Sequence, residues 1–321
     1  MKPNLLLKPV VTGLLSQVPF MQRFIHRKGT GGTCQPEYCY EVWMKHLVML
    51  SLHRGPTVPR VVAELGPGDS LGIGFAALLS GAEQFIALDV EKYSNSQASN
   101  LAMFDQIVTL FQARSGRWKK GWPDYDAYLD ERLFPSHILT EEHLAASLAP
   151  ERIAKLRACI ANLGAHNDDI TAPVRYFVPW SDASVIDPGS VDLLFSQSVL
   201  EHVTDPAATY QAFHSWVKPG GYISHQVDFS SHSIAAYWNG HWAYSNFMWK
   251  IILGKRSYLL NLKPYSTHLH LAEQNGFEIV TSMQFEREDG LKLDQLAAVA
   301  KGFTEKDSRT ASMFFQARRR I

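Results

Sequence analysis

Among the histidines and aspartates between residues 202 and 241 of this sequence, four histidines and one aspartate stand as candidates to move a proton. They are His202 in "SQSVLEHVTDP", His225, Asp228 and His232 in "SHQVDFSSH", and His241 in "WNGHWAY". An imidazole titrates near neutral pH, so it can accept a proton from a hydroxyl, and a neighbouring carboxylate can fix its orientation. Extended backbone sends successive side chains to opposite faces. His225 and Val227 therefore point one way and Gln226 and Asp228 the other, so His225 shares a pocket with Asp228 only if the strand stops between them. The reading favours His225 or His232 as base, with Asp228 orienting it or hydrogen-bonding a substrate. His202 and His241 are further candidates. The alternative is that these side chains cap helices and loops.

A second stretch, "VAELGPGDSLG" (61–71), runs from aliphatic residues through Gly66-Pro67-Gly68 into an apolar helical pattern. Gly66 permits a tight turn, and Gly68 lets the backbone approach a ligand with no Cβ in the way. Asp89 follows Gly66 by 23 residues, at the end of "FIALDV", where a carboxylate can accept both hydroxyls of a ribose. Dinucleotides and S-adenosylmethionine (SAM) share that feature. Glu64 separates them. A carboxylate two places before the first glycine sits badly beside a diphosphate but welcomes the cationic amino group of SAM. No GKS or GKT is present, which excludes a P-loop. An NAD-dependent oxidoreductase and a non-catalytic scaffold on the same fold are the rival readings.

Strands must position these groups. Residues 60–65, 85–90, 174–180, 190–198 and 221–229 read as strands, with a helix over 71–80 and two more strands at 276–286 and 310–319. Strands alternating with helices predict an α/β fold, a doubly wound, mostly parallel seven-stranded sheet of Rossmann-like type, with ligands beyond the carboxyl ends of the strands. Residues 1–58 read as a helical N-terminal extension to a domain over 59–321. Within that domain lie a helical cap insertion (105–172), where Leu144, Leu148, Ile153, Leu156 and Ile160 recur at helical spacing, and an aromatic-rich lid (230–265).

The set "ELGPGD", "ALDV", "SDAS…SVD", "SQSVLEHV" and "KPGG", in this order over residues 60–230, resembles the class I SAM-dependent methyltransferases, in the broad group of the ubiquinone- and menaquinone-pathway enzymes. The resemblance implies that Glu64, Gly66 and Gly68 line the methionine half of SAM, and that Asp89 holds the ribose with Val90 against the adenine. It also implies that Asp182 and Ala183 meet the adenine edge and that Ser196 and Gln197 close the pocket. The frequent third glycine is Ser70 here. Relatives in ubiquinone synthesis can bind a divalent cation through an ExxEH pattern. Here its first position is Ser198, leaving Glu201 and His202, and no metal ligands are assigned.

The expected reaction is O-methylation of a small molecule or glycan with a histidine base. Trp238, Trp242, Tyr244 and Trp249 offer aromatic faces for a sugar or planar acceptor, or else the packing surface of a lid. Arg114, Arg117, Lys119 and Lys120 could meet a substrate anion, or form a solvated face. Residues 28–43, rich in glycine, could fold over SAM. Lys plus Arg equals Asp plus Glu at 31 each, and "SQSV" replaces the [DN]PPY of nucleic-acid amino methylases, so nucleic acid is not an expected partner. Three cysteines without a CxxC pair fit a reducing cytoplasm. The opening twenty residues, broken by Pro3, Lys8, Pro9 and Pro19, fall short of a transmembrane segment, though their amphipathic character leaves membrane-surface contact open. Homo-oligomerisation is left open.

Overall fold

Aliphatic runs on both faces of the first strands dictate burial between helical layers, and a computed structural model bears this out. It describes residues 4–20, 32–94, 96–117, 122–129, 133–165, 167–180 and 182–321. The strands are β1 (Val61–Leu65), β2 (Gln84–Leu88), β3 (Val174–Phe177), β4 (Val191–Gln197), β5 (Val217–Asp228), β6 (Phe277–Glu286) and β7 (Thr310–Arg319). They form one seven-stranded sheet in the order β3-β2-β1-β4-β5-β7-β6.

β1 pairs in parallel with β2 and β4, and β2 with β3; Val62 stands opposite Phe85 on one side and Leu193 on the other. The chain first winds outward from β1 to β3 and then returns to β4 on the far side of β1. In such sheets the point of reversal, here at the carboxyl ends of β1 and β4, is the general ligand position. β7 runs against its neighbours. The Phe229 N–H donates to the Ala311 carbonyl and Arg319 reaches the Val217 carbonyl, while the Arg287 N–H donates to the Arg309 carbonyl at 2.8 Å.

Helices α1 (Leu7–Leu15) and α2 (Pro36–Arg54) precede the sheet. Pro36 supplies a preset φ at the first turn of α2, and Gly55 ends the helix at φ 84°. α3 (Gly72–Leu79), all small or apolar residues, is buried along its whole length. α4 (Gln97–Gln112) opens on a Ser96 cap and runs across residue 105. The later apolar spacing in the insertion resolves into two helices, α5 (Glu141–Ser147) and α6 (Pro150–Ile160). Pro150 cannot donate to a continuing helix, so it starts a new one instead. Leu144, Leu156 and Ile160 still face inward. The remaining helices are α7 (Pro206–Trp216), α8 (Asn246–Leu253), α9 (Tyr265–Gln274) and α10 (Glu305–Arg309).

The chain divides into two compact units. One comprises residues 29–197, 212–224 and 316–321; the other comprises 1–28, 198–211 and 225–315. In the first, α2 buries Trp43, Leu47 and Val48, and the Trp43 indole N–H donates to Ser80 Oγ at 2.9 Å. In the second, Ile234, Ala235, Tyr244, Ile252 and Leu260 form a small core.

Candidate active site

The glycine turn lies in the first unit. Gly66 and Gly68 both take left-handed φ, 69° and 75°, conformations that cost a residue with a Cβ. The Gly66 N–H donates to the Leu88 carbonyl at 2.8 Å, fastening the turn to the end of β2. The Gly68 N–H then donates to Asp89 Oδ2 at 3.3 Å, and the Val90 N–H to Oδ1 at 2.7 Å. Each carboxylate oxygen keeps a lone pair for a hydroxyl. Burial pushes Asp89 up to about 6, with the backbone N–H groups of Val90, Gly68 and Glu91 pulling it back.

Glu64 on β1 is buried, and its Oε2 meets no well-aligned donor among the described residues, although the Gly74 backbone faces the carboxyl. Burial first, and the charge of Asp89 second, hold its pKa well above the usual carboxylate range. A buried carboxyl with one oxygen short of a well-aligned donor is costly to ionise unless a cation arrives. The donor set therefore suits an ammonium group at the floor of the turn.

Thr33 clamps that turn from above the sequence. The Asp69 N–H donates to Thr33 Oγ1 at 3.0 Å, and Ser70 Oγ donates to the Thr33 carbonyl. Ser70 also accepts the Gly72 N–H at 3.2 Å. The hydroxyl in place of a third glycine thus ties the stretch before α2 to the turn. Residues 28–31 of that stretch, like Lys119, Lys120 and Ser181, lie outside the described residues.

The other cofactor candidates are spread along the carboxyl edge. Asp182 is exposed, and its Oδ1 accepts the Ser184 N–H at 2.9 Å; the Ala183 carbonyl accepts the Trp216 indole N–H at 2.6 Å. Ser196 is fully buried. Gln197 Oε1 accepts from Lys45 Nζ at 2.8 Å. Sequence reasoning missed Lys45. It is a lone cation in the apolar run of α2, and burial, followed by the nearby Arg117 charge, pushes it down to about 7. Arg117 itself is held by Asp124 and Asp126 and stacks on Tyr125 at 4.5 Å. Arg114 pairs with Glu141 at 3.0 Å. The described half of the basic stretch is thus engaged by acids of the insertion.

The proton-moving candidates fall in the second unit, and the structure sorts them. β5 ends at Asp228, and four residues on, His232 turns back so that its Nε2 lies 3.5 Å from Asp228 Oδ2. Asp228 Oδ1 accepts the Ser230 N–H at 2.8 Å, which fixes the carboxylate. His232 and Ser233 sit at φ 47° and 63°, and Ser198 at 54°. Non-glycine residues in this region carry strain of about 1–3 kcal/mol each. His202 meets His232 edge to face, ring centres 5.2 Å apart, with its Nδ1 against the Leu259 carbonyl at 3.3 Å. Burial, then the neighbouring His232, lowers the His202 pKa.

His241 faces the same place. With Glu201, Asp228, Asn261 and Lys263 it lines a cavity of about 10 Å³, room for one water or ion. A cleft of about 300 Å³ shares Asn261, Leu262 and Lys263 with it. Burial, then His232, pushes His241 down to about 3. His225 is placed apart. It is fully buried mid-strand, 5.3 Å from the Phe315 ring, and burial followed by His268 pushes it to about 3.

Glu201 is the residue that sequence reasoning underrated. It is buried, neither carboxyl oxygen meets a well-aligned donor among the described residues although the backbone at Glu201 and Asp228 faces it, and burial holds its pKa well above normal. Ligand atoms of Glu201, His202 and His232 lie within 4.8 Å of one another. One carboxylate and two imidazoles form a donor set that a divalent cation fits. His232 brings a ligand to the Glu–His pair that Ser198 left incomplete, a meeting that spacing alone did not reveal. The aromatic stretch is mostly core: Trp238, Trp242 and Tyr244 are buried, and Trp242 packs at 5.3 Å on Phe303. Those three rings pack inward, and Trp249 alone of the four is half-exposed.

Residues 104–282, more than half of the sequence, match the family described as a methyltransferase domain. The chain belongs to that family. The matched span of this methyltransferase holds the histidine and acid cluster and begins after the glycine turn. A ubiquinone biosynthesis O-methyltransferase of Colwellia psychrerythraea (strain 34H) is 35% identical over 74 residues, which are 23% of this chain and 27% of that protein. The methyltransferase thus matches only about a quarter of that relative's length. Among solved structures, phosphoethanolamine N-methyltransferase 2 of Haemonchus contortus, in complex with SAM, aligns over 89% of this chain and 57% of its own, at 14% identity and TM-score 0.41. Geranyl diphosphate C-methyltransferase of Streptomyces coelicolor A3(2) aligns over 87% and 78%, at 13% identity and TM-score 0.41.

Proposed function

We propose that this methyltransferase moves the methyl group of SAM to an oxygen of a small acceptor. The observation that carries the donor half is Glu64, a buried carboxyl lacking a well-aligned donor beside a left-handed glycine turn. In this reading Glu64, Gly66 and Gly68 hold the methionine end, and Asp89 and Val90 the ribose and adenine. Asp182, Ala183, Ser196 and Gln197 complete the pocket. A dinucleotide would bring its diphosphate against Glu64, which disfavours the oxidoreductase.

The acceptor half rests on the His232–Asp228 pair. A methyl transfer from a sulfonium is an in-line displacement, so the protein mainly aligns the reactants, and a hydroxyl acceptor also needs its proton removed. With Nε2 toward Asp228, His232 takes the proton at Nδ1 and Asp228 steadies the imidazolium; His202 and His241 shape the surroundings. The local similarity to an O-methyltransferase supports oxygen as nucleophile. The three cysteines, none of them in a disulfide among the described residues, fit a cytoplasmic setting. Incubating the chain with methyl-labelled SAM and a panel of phenols, alcohols and amines tests the assignment: label in hydroxyl acceptors supports it, and label confined to amines contradicts it.

A second reading is favoured by the two Glu201 oxygens. A divalent cation held by Glu201, His202 and His232 would lower the pKa of an acceptor oxygen by acting as a Lewis acid. Chelator treatment separates the readings: turnover lost on EDTA and restored by a divalent salt favours the cation, and unchanged turnover favours the histidine base.

A further inference from the structure

α1 is inside out. Its inward side is Pro9, Gly13 and the following Ser16, with Val10 half-buried on the small core, while Leu7, Val11 and Leu14, and Val18 just past its end, are 77, 50, 54 and 48% exposed. An ordinary surface helix turns its apolar stripe to the core and its polar side to water. Here the inward face is small because it presses on backbone. A Cβ on Gly13 would come within 2.0 Å of the Ile251 carbonyl oxygen in α8. Ser16 Oγ donates to the Gly13 carbonyl at 2.6 Å and accepts the Lys255 N–H at 2.9 Å. Ahead of the helix, Asn4 donates to the Gly240 carbonyl at 2.8 Å, and its own carbonyl accepts from Ala236 at 3.0 Å and from Tyr244. The helix is firmly docked, and Leu7, Val11, Leu14 and Leu15 are left outward. α8 adds Phe247, 73% exposed.

The charge pattern says what meets this face. Asp and Glu number 31 in the chain, yet none falls in residues 1–36 or 229–272, the two segments that contain α1 and α8. The same segments carry five and four Lys or Arg. Of these, Lys8, Lys250 and Lys255 are exposed. A zero net charge for the whole chain conceals this segregation. Outward aliphatic side chains among cations, with anions excluded, match a bilayer surface bearing anionic headgroups: apolar groups enter the acyl boundary and lysines meet phosphate. At nine residues α1 is far too short to span, and no helix among the described residues is long and apolar enough to cross a membrane.

We propose that the outward face of α1, with Phe247 and the lysines of α8 and the turn after it, seats the protein on an anionic lipid surface. The inference is independent of the methyl-transfer reading.

Co-sedimentation of the full chain with vesicles of phosphatidylcholine alone, or with a third phosphatidylglycerol, tests it. The expected result is binding to the anionic vesicles at least tenfold stronger than to the neutral ones, weakening as salt rises. Leu7→Ser/Val11→Ser/Leu14→Ser should cost a further tenfold or more. Lys8→Gln/Lys250→Gln/Lys255→Gln should erase the preference for anionic lipid. Both variants change exposed side chains, and circular dichroism and melting temperature should match wild type. Equal or absent binding to the two vesicle types would overturn the proposal. So would gel filtration showing a dimer that the Leu/Val variant splits, since a second copy would then be the occupant of the face.

Discussion

Glu64 and Asp89 lie close enough for one charge to raise the pKa of the other, and that coupling sets the pH response of the donor half. With Asp89 at about 6, part of the pair is protonated in slightly acidic solution. A bound cation lowers both pKa values, so binding releases protons, and SAM affinity should climb as pH rises through about 6, where Asp89 ionises, and go on climbing as Glu64 ionises. Calorimetry in buffers of different ionisation enthalpy measures the released proton directly; uptake instead of release contradicts the pairing. On the acceptor side, His232→Gln should lower kcat by about 10²–10⁴-fold with little change in KM. Asp228→Asn added to it should cost little more, because the two act as a unit. His225→Gln, buried away from the pair, should lower the melting temperature rather than kcat. The histidine cluster was legible as residue types, and period two correctly separated His225 from Asp228. Which histidine would meet Asp228 was not legible, because a left-handed turn at His232 and Ser233 made the choice.

At the scale of elements, all seven strands were readable from their apolar runs, whereas the strand order, with its reversal at β1/β4 and the antiparallel β7, came only with the fold. Side chains recruited across helices were harder. Lys45 sits in α2 among Trp43, Met44 and Leu47, where a purely apolar face would serve packing equally well. Its folded pKa of about 7, below the model-compound 10.5, means the folded chain binds fewer protons than the unfolded chain between those values. Stability from this group therefore rises with pH from about 7 to about 10.5. Lys45→Met should raise the melting temperature by a few degrees at pH 6, and the gap should narrow toward pH 10; a gap constant with pH contradicts the burial argument. Thr33→Val removes the Oγ1 that accepts the Asp69 N–H and should weaken SAM binding by about threefold to tenfold, roughly one lost hydrogen bond. The aromatic stretch was misleading for a physical reason. Trp and Tyr bury large areas wherever they fall, and here they build the lid's own core.

For the whole molecule, the overall charge balance and the order of the chain hide two asymmetries. The cofactor candidates all belong to one compact unit and the proton-moving candidates to the other. Sequence order does not disclose this, because each unit is assembled from three separate segments. Charge, balanced overall, is sorted so that anions avoid α1 and α8. The central claim remains the glycine turn's preference for a cationic amino-acid tail over a diphosphate. Titration calorimetry of the full chain with SAM and with NADH, repeated on Glu64→Gln, tests it most directly. The account predicts binding of SAM, no measurable binding of NADH, and at least about tenfold weaker SAM binding in the variant, some 1.4 kcal/mol. Preferential binding of NADH, or SAM affinity untouched by Glu64→Gln, would contradict it.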